Sequence, residues 1–533
     1  MAWYDNALFY HIYPLGLLDA EKQNPYGEVN HRLRELSPWI DHIEKIGCNA
    51  VYIGPLFESV GHGYETTDYR KVDSRLGDND DLKKFVKDCH ERNIRVILDG
   101  VFNHTGRDFF AFKDIKENRE NSRYKEWYSG VNFWGNNEYN DGFSYDNWGG
   151  YNLLVKLNLK NPEVRDYLLD TVKFWVDEFD IDGLRLDAAD VLDFDFMRSL
   201  RGLADTVKPE FWLMGEVIHG DYSRWVNEGT LHSVTNYQLH KAFFSAHNDH
   251  NYFEIAHTVK RLYGMGGEKF KLYNFVDNHD VERIFTKLNN KADFLPVHIL
   301  LYTLPGIPSL YYGSEFGTEG KKERGSDDSL RPKLDLADFE GNDKAKLITA
   351  LGNAKKSLPQ LSWGEYAEKT LTTTVYTFVR AIGNSSVLVA VNNADNANEV
   401  RVGGLNDGEY VGVLGGEILT VCGGEAVVKL SAHSGEIFAP KETDFERIEL
   451  DIKKLNEESE KQAEKANAEK EKFDASLPDV GDRNDYENMS LDELHAAILA
   501  KMAKNGPVTD YMKKTVFDNN HIPSLIGWAK SFR

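Results

Sequence analysis

Eight short apolar runs, separated by segments of helical pattern, constrain this chain more than any other feature. They are ALFYHIYP (7–14), NAVYIGP (49–55), IRVILDGV (94–101), IDGLRLDA (181–188), FWLMGEV (211–217), SVTNYQL (233–239), KLYNFVDN (271–278) and IPSLYYGS (307–314). Strands that are apolar almost throughout, instead of alternating, are covered on both faces. Helices fit between them. SPWIDHIEKI (37–46) is expected to start with Ser37 as N-cap and Pro38 at N1, with Trp39, Ile40, Ile43 and Ile46 as its apolar stripe. DLKKFVKDC (81–89) sets Leu82, Phe85, Val86 and Cys89 on one face, and 162–179 opens on Pro162 and is amphipathic. Eight β/α repeats predict an α/β fold, a (β/α)8 TIM barrel with its active site at the C-terminal strand ends.

Other textures interrupt and follow the repeats. The connection after the third strand, 104–160, is long and rich in Trp, Tyr, Phe, Asn and Gly, so a small excursion packed over the barrel mouth is expected. The barrel is then split into 1–103 and 161–362. Over 363–440, strand-like runs such as TTTVYTFVRA (372–381) and EAVVKLSA (425–432) are punctuated by Gly, Asn and Asp, which predicts a separate antiparallel β-domain. The rest, 441–533, is a charged helical extension in which Ser490 and Glu493 form a capping-box signal ahead of LDELHAAILAKMAKNG.

Composition narrows the function classes. A net charge of −23 disfavours nucleic acid and anionic membranes as partners and fits a neutral substrate. No run of about 18 apolar residues occurs, so no membrane-spanning helix is expected. The N-terminus MAWYDNALFYHIYP lacks a basic leader region, and a cytoplasmic location is expected. Cys48, Cys89 and Cys422, odd in number and without CxxC spacing, are expected to be free thiols and not zinc ligands.

Four segments at strand ends carry the chemistry: DGVFNH (99–104), GLRLDAADV (183–191), GEV (215–217) and FVDNHD (275–280). Glycoside cleavage needs an acid on the leaving oxygen and a second carboxylate at the anomeric carbon. A third can stabilise the cation-like transition state. Asp187, Glu216 and Asp280 end strands four, five and seven, whose ends converge in a closed barrel. Arg185, two residues before Asp187, shares its strand face and is expected to lower its pKa and keep it ionised, as a nucleophile requires. Glu216, on an apolar strand, is expected to be raised as a general acid. His104 and His279 are candidates to hold sugar hydroxyls. A lone acid of this kind is ordinarily a salt-bridge partner, so it is the set that points to chemistry.

Over residues 1–440 these motifs resemble the α-amylase family, glycoside hydrolase family 13. Asp99, Asn103 and His104 match its first conserved region, and Arg185 with Asp187 match the nucleophile region. Glu216 matches the acid/base position, and His279 with Asp280 the transition-state stabiliser region. Asp277 falls at a variable position. HGYETTDY (62–69) resembles the family segment after strand two, which implies that Tyr64 stacks on the reacting sugar with His62 nearby. The resemblance implies double displacement with retention. It also implies a barrel (domain A), the strand-three excursion (domain B) and a C-terminal antiparallel β-sandwich (domain C), here followed by the helical extension.

LVKLN (154–158) resembles the fifth region of the neopullulanase, cyclomaltodextrinase and maltogenic amylase group, with Val155 at a position that is usually Pro. SDDSLRP (326–332) resembles that group's segment for the outer glycone subsites, which makes Asp328 and Arg331 candidates there, although Ser326 and Leu330 depart from the pattern. The group's β-domain ahead of the barrel has no counterpart in this sequence. Asp190 and Val191 stand where many starch-acting amylases carry Lys-His, which favours oligosaccharides. Hydrolysis of α-1,4-linked maltooligosaccharides or cyclodextrins is the activity implied. A glucanotransferase of the same fold and a non-catalytic carbohydrate-binding relative are the alternatives. No cofactor is expected. A structural calcium would draw on Asn103, which matches a calcium-ligating position in many amylases, with Asp141 or Asp146. The extension is expected either to mediate homo-oligomerisation or to decorate domain C.

Overall fold

All eight apolar runs form strands: β1 (Phe9–Ile12), β2 (Ala50–Ile53), β3 (Arg95–Gly100), β4 (Gly183–Leu186), β5 (Trp212–Gly215), β6 (Ser233–Val234), β7 (Tyr273–Phe275) and β8 (Ile307–Tyr311). These come from a computed structural model that describes residues 2–267, 270–441, 480, 485–504, 515–517 and 519–531. The strands pair in parallel in the order β6-β5-β4-β3-β2-β1-β8-β7. A bridge from Thr235 to Tyr273 joins β6 to β7 and closes the ring.

Side chains alternate across this closed sheet. Phe9, Ala50, Tyr52, Ile97, Trp212, Met214, Tyr273, Phe275 and Ile307 pack together as one buried cluster inside the ring. Trp212 stacks on Phe9 with ring centres 5.0 Å apart. The alternate positions, such as Tyr10, Val51, Val96, Leu184 and Leu213, belong to the larger core shared with the helices. Two-sided burial explains the unbroken apolar runs. The inward rows also lead upward from the apolar floor, so Asp99, Arg185, Asp187 and Glu216 continue them into the barrel mouth.

Helix Ser37–Lys45 begins one residue earlier than expected. Arg32–Leu36 runs into it as a 3-10 turn, Leu36 is the cap, and Ser37 provides no side-chain cap. Helix Asn79–His90 is capped by Asp78 and Asp81, and Pro162–Phe179 by Asn161, whose side chain accepts from the Glu163 N–H.

Between β3 and β4, His104–Thr105, Tyr151–Lys156 and Asn147–Trp148 form a three-stranded antiparallel sheet, accompanied by helix Phe110–Asn118. After the barrel come β9 (Glu365–Leu371), β10 (Val375–Ile382), β11 (Ser385–Asn392), β12 (Asn398–Gly403), β13 (Gly408–Gly412), β14 (Ile418–Val421), β15 (Glu425–Leu430) and β16 (Ser434–Pro440). They make an antiparallel sheet ordered β9-β10-β11-β16-β13-β14, and β12 pairs with β15. Val375, Leu388, Val402, Val428 and Phe438 share one core between the two sheets, as a sandwich requires.

The described part of the extension forms a unit of its own. Helix Leu491–Lys504 and helix Ile522–Ser531 share a core of Leu494, Ile498, Leu525 and Ala529. The expected capping box is present: Ser490 N–H donates to Glu493 at 2.7 Å and Glu493 N–H to Ser490 Oγ at 3.3 Å. The charged stretch 442–479 lies outside the described residues.

Candidate active site

One guanidinium organises the barrel mouth. Arg185, 3% exposed at the top of β4, reaches Asp99 at 2.8 Å, Asp187 at 3.0 Å and Glu216 at 2.8 Å. The register places Asp99 directly opposite Arg185 on adjacent strands. Tyr52 and Tyr64 hydroxyls donate to Asp99 at 2.8 and 3.1 Å, so that carboxylate is occupied in holding the arginine. Gly54 abuts Asp99: a Cβ there would lie 2.4 Å from the Asp99 Cβ.

Ala188, directly after Asp187, has φ +46°, a conformation disfavoured for a residue with a side chain. That turn aims the Ala188 N–H at Glu216 Oε2, 3.2 Å away, and Tyr237 OH donates to the other oxygen at 3.2 Å. Backbone strain beside Asp187 therefore serves to fix the second acid.

Asp280 sits in a second cluster. His279 Nε2 is 3.0 Å from one of its oxygens and Arg331 Nη2 is 2.9 Å from the other. Asn278 Oδ1 accepts from the Asp280 and Val281 N–H groups, which sets the turn. The Tyr64 hydroxyl lies 2.5 Å from His279 Nε2 and so links the two clusters. Two buried ring nitrogens, His104 Nε2 and His279 Nδ1, have no hydrogen-bond partner. A buried polar atom left unpaired is costly, and one aimed at a binding site fits a ligand hydroxyl.

The electrostatics correct one sequence expectation. Burial raises Asp187 well above the ordinary carboxylate range; Arg185 opposes this, and Glu216, Asp99 and Asp280 reinforce it. One cation shared among three acids does not overcome desolvation. For Asp280 burial also acts upward, but His279, Arg331 and Arg185 outweigh it and hold that carboxyl well below its usual value. Burial lowers His104 to about 3, which makes it a neutral imidazole.

The structure thus brings together Asp187, Glu216, Asp280, Arg185, Tyr64, His279 and Arg331. His104 lies against the Tyr64 backbone. His62 is half-exposed at the rim, its Nε2 3.2 Å from Glu65 and its ring 5.9 Å from Tyr64. Asp328 stands apart, exposed and paired with Lys22. Arg331 is tied to Asp280 itself, and to the His279 carbonyl at 2.9 Å. Tyr13, Tyr52, Tyr237 and Asn278 belong to the site too. Sequence reasoning singled out none of them; only the place of Asn278 within FVDNHD, and of Tyr13 and Tyr52 near strand ends, offered a signal.

Of the calcium donors expected around Asn103, Asp141 is held by Arg107 at 2.8 and 2.9 Å, whereas the 3.2 Å contact of Asn103 with His104 Nδ1 is made by its Nδ2 and not by the oxygen a cation would take. Among the described residues, three such metal-ligating side chains gather at His31, Asp78 and Asp81, where Arg34 already pairs with Asp81 at 2.6 Å.

A closed barrel with this acid set, an excursion after β3 and an antiparallel β-domain defines a glycoside-hydrolase type of architecture. The Alpha-amylase catalytic domain matches residues 32–356, and the chain belongs to that family. It is 34% identical over 349 residues to a cyclomaltodextrinase of a Bacillus species, covering 61% of each chain. To the cyclomaltodextrinase of Thermoanaerobacter pseudethanolicus it is 30% identical, over 74% of this chain and 71% of that one. The first of these matches spans about three fifths of the relative's own length. Among solved structures, the Nostoc punctiforme debranching enzyme superposes with a TM-score of 0.73 at 27% identity, over 82% of this chain and 98% of that one.

Proposed function

We propose that the protein hydrolyses α-1,4-glucosidic bonds of maltooligosaccharides and cyclodextrins with retention of configuration. The observation that carries this is the placement of Asp187 and Glu216 on two nitrogens of one buried guanidinium. Sharing one small cation fits the short separation of about 5–5.5 Å that double displacement uses.

Glu216, as its acid, gives a proton to the glycosidic oxygen while ionised Asp187 attacks the anomeric carbon. The departing chain leaves a glycosyl ester on Asp187. Water then enters, Glu216 takes its proton, and the ester opens. Asp280, held ionised, faces the positive charge that develops on the sugar ring in both steps. Tyr64 offers its ring to the sugar, and His104 Nε2 and His279 Nδ1 take hydroxyls. Arg185 keeps Asp187 and Glu216 in register.

This reading takes 1–103 and 161–362 as the catalytic barrel, 104–160 as domain B, 363–440 as domain C and 441–533 as a separate extension that serves self-association. It places the protein in the cytoplasm, in keeping with three unpaired cysteines. Among the described residues no helix is long and apolar enough to cross a membrane.

Incubation with maltoheptaose, β-cyclodextrin and pullulan, followed by chromatography beside an Asp187→Asn control, tests the activity. Glucose and maltose, absent in the control, are the expected products. Accumulation of longer chains would mean transfer, and no turnover would overturn the substrate class.

A further inference from the structure

His279 and Asp280 stand on a turn, 277–284, between β7 and the short helix Ile284–Lys287. Two charged residues near its ends, Asp277 and Arg283, are 1% and 0% exposed and have no role in the bond-breaking steps proposed above. Asp277 closes the turn on itself: its Oδ2 accepts from the Ile284 N–H at 2.8 Å. Its Oδ1 accepts from the Ser314 hydroxyl at 2.5 Å, in the segment that follows β8. Arg283 fastens the far end to the same segment. Its Nη1 donates to the Tyr312 carbonyl at 2.7 Å, and its backbone N–H donates to the Gly320 carbonyl at 3.0 Å. The guanidinium lies 4.0 Å from the centre of the Tyr311 ring. Gly320 is close enough that a Cβ there would meet Arg283 Cγ at 3.0 Å.

Both Asp277 oxygens act as acceptors, as an ionised carboxylate requires. Burial raises its carboxyl, and Arg283 leads the groups that oppose this, ahead of Ser314 and the Ile284 N–H. Arg283 keeps Nε and Nη2 buried without a hydrogen-bond partner. Apolar residues in such positions can be as stable as a buried charge pair, so what the pair supplies is a specific geometry. The geometry at stake here is that of Asp280, which lies inside a turn tied at both ends and tied again within by Asn278 Oδ1.

We propose that Asp277 is a positioning residue of the reaction: with Arg283 as its counterion, it clamps both ends of the turn 277–284 to the segment after β8 and so fixes Asp280 for the transition state. This rests on the reading of the site given above and extends it to two buried residues behind the reacting groups. A small displacement of Asp280 would cost transition-state stabilisation and leave substrate binding largely intact.

The test compares Asp277→Asn and Ser314→Ala with wild type in three measurements: steady-state kinetics on maltoheptaose, inhibition by acarbose, and hydrogen exchange read by mass spectrometry. Asn keeps the size of Asp277 but turns a donor toward one of its two donors. Ser314→Ala removes one bond to Asp277 and carries the test if Asp277→Asn does not fold. Asp277→Asn is expected to lower kcat by about 100-fold, with KM near its wild-type value. Acarbose, whose half-chair ring and charged nitrogen imitate the transition state, should bind more weakly by a similar factor. Ser314→Ala should lose about tenfold in both quantities. Exchange in peptides spanning 277–284 should quicken by about tenfold while that over 183–188 stays as in wild type. Wild-type kcat in the folded variants would overturn the clamp. So would exchange that quickens alike in both peptides, the mark of general loosening. If the wild-type protein does not cleave maltoheptaose, the hydrolase reading fails, and the clamp is judged by exchange alone, where unchanged exchange over 277–284 overturns it.

Discussion

Arg331 closes on Asp280, with Nη2 2.9 Å from Oδ1, while its Nε donates to the His279 carbonyl and its guanidinium lies 4.5 Å above the Tyr13 ring. It therefore buttresses the carboxylate proposed to face the transition state. Arg331→Gln is expected to lower kcat by about 100-fold, the scale of a small misplacement at a reacting centre. KM should change much less. Arg331→Lys, which keeps charge but loses the fork, should recover only part. A loss confined to KM would return Arg331 to a sugar-binding role.

Asp187 must be ionised to attack, and its carboxyl is raised above the ordinary 3.8. Activity should therefore fall on acidification while still above that pH. Removing the cation in Arg185→Gln leaves Asp99, Asp187 and Glu216 facing one another. The acid limb of kcat/KM should move to higher pH, and stability should fall by about 3–5 kcal/mol. The pH profile and urea unfolding check both.

Glu216→Gln removes proton donation to the leaving oxygen. A fall in kcat of about 10²–10⁴-fold is expected on maltoheptaose. A substrate whose leaving group needs no proton, such as α-glucosyl fluoride, should still form the glycosyl enzyme on Asp187. Mass spectrometry should then find the chain heavier by one glucosyl group, and its absence would remove Glu216 from the acid role.

At the opposite end of the barrel, Asp182 is 2% exposed and meets His90 at 2.7 Å, Arg95 at 3.0 Å and Lys208 at 3.0 Å. Burial raises its pKa, but the His90 hydrogen bond, Lys208 and the Val96 N–H outweigh this and bring it to about 2. A depressed carboxylate stabilises fully above its unfolded value of 3.8 and loses that contribution as pH falls toward 2. The span amounts to about 2 kcal/mol. Asp182→Asn should be less stable than wild type at pH 7 by at least that much, with the gap closing near pH 2. Thermal unfolding across that range measures it.

The strands were legible because burial on both faces leaves no polar alternation, and each of the eight runs contains its strand. The acids were legible because Asp187, Glu216 and Asp280 follow such runs directly. What could not be read was whatever depends on summed surroundings. The sign of the Asp187 shift is a balance among burial, one cation and three anions, and only Arg185 is its neighbour in sequence. Arg331 reaches Asp280 across 51 residues. Tyr237 meets Glu216 because β6 pairs with β5, which sets the residues after the one strand beside those after the other. Ser37 was displaced as a cap by the preceding 3-10 turn, a local competition that capping preference alone does not weigh.

Asp99 and Arg185 are opposite one another in the sheet yet 86 residues apart in the chain, with the whole aromatic excursion strung between them. Lengthening such a connection is cheap, about 0.6 kcal/mol for each doubling. Evolution can therefore rebuild this wall while the two residues that anchor the acids stay in register. The same separation makes their meeting a late event in folding, since a distant pair gains its contact only after the intervening chain has been gathered in.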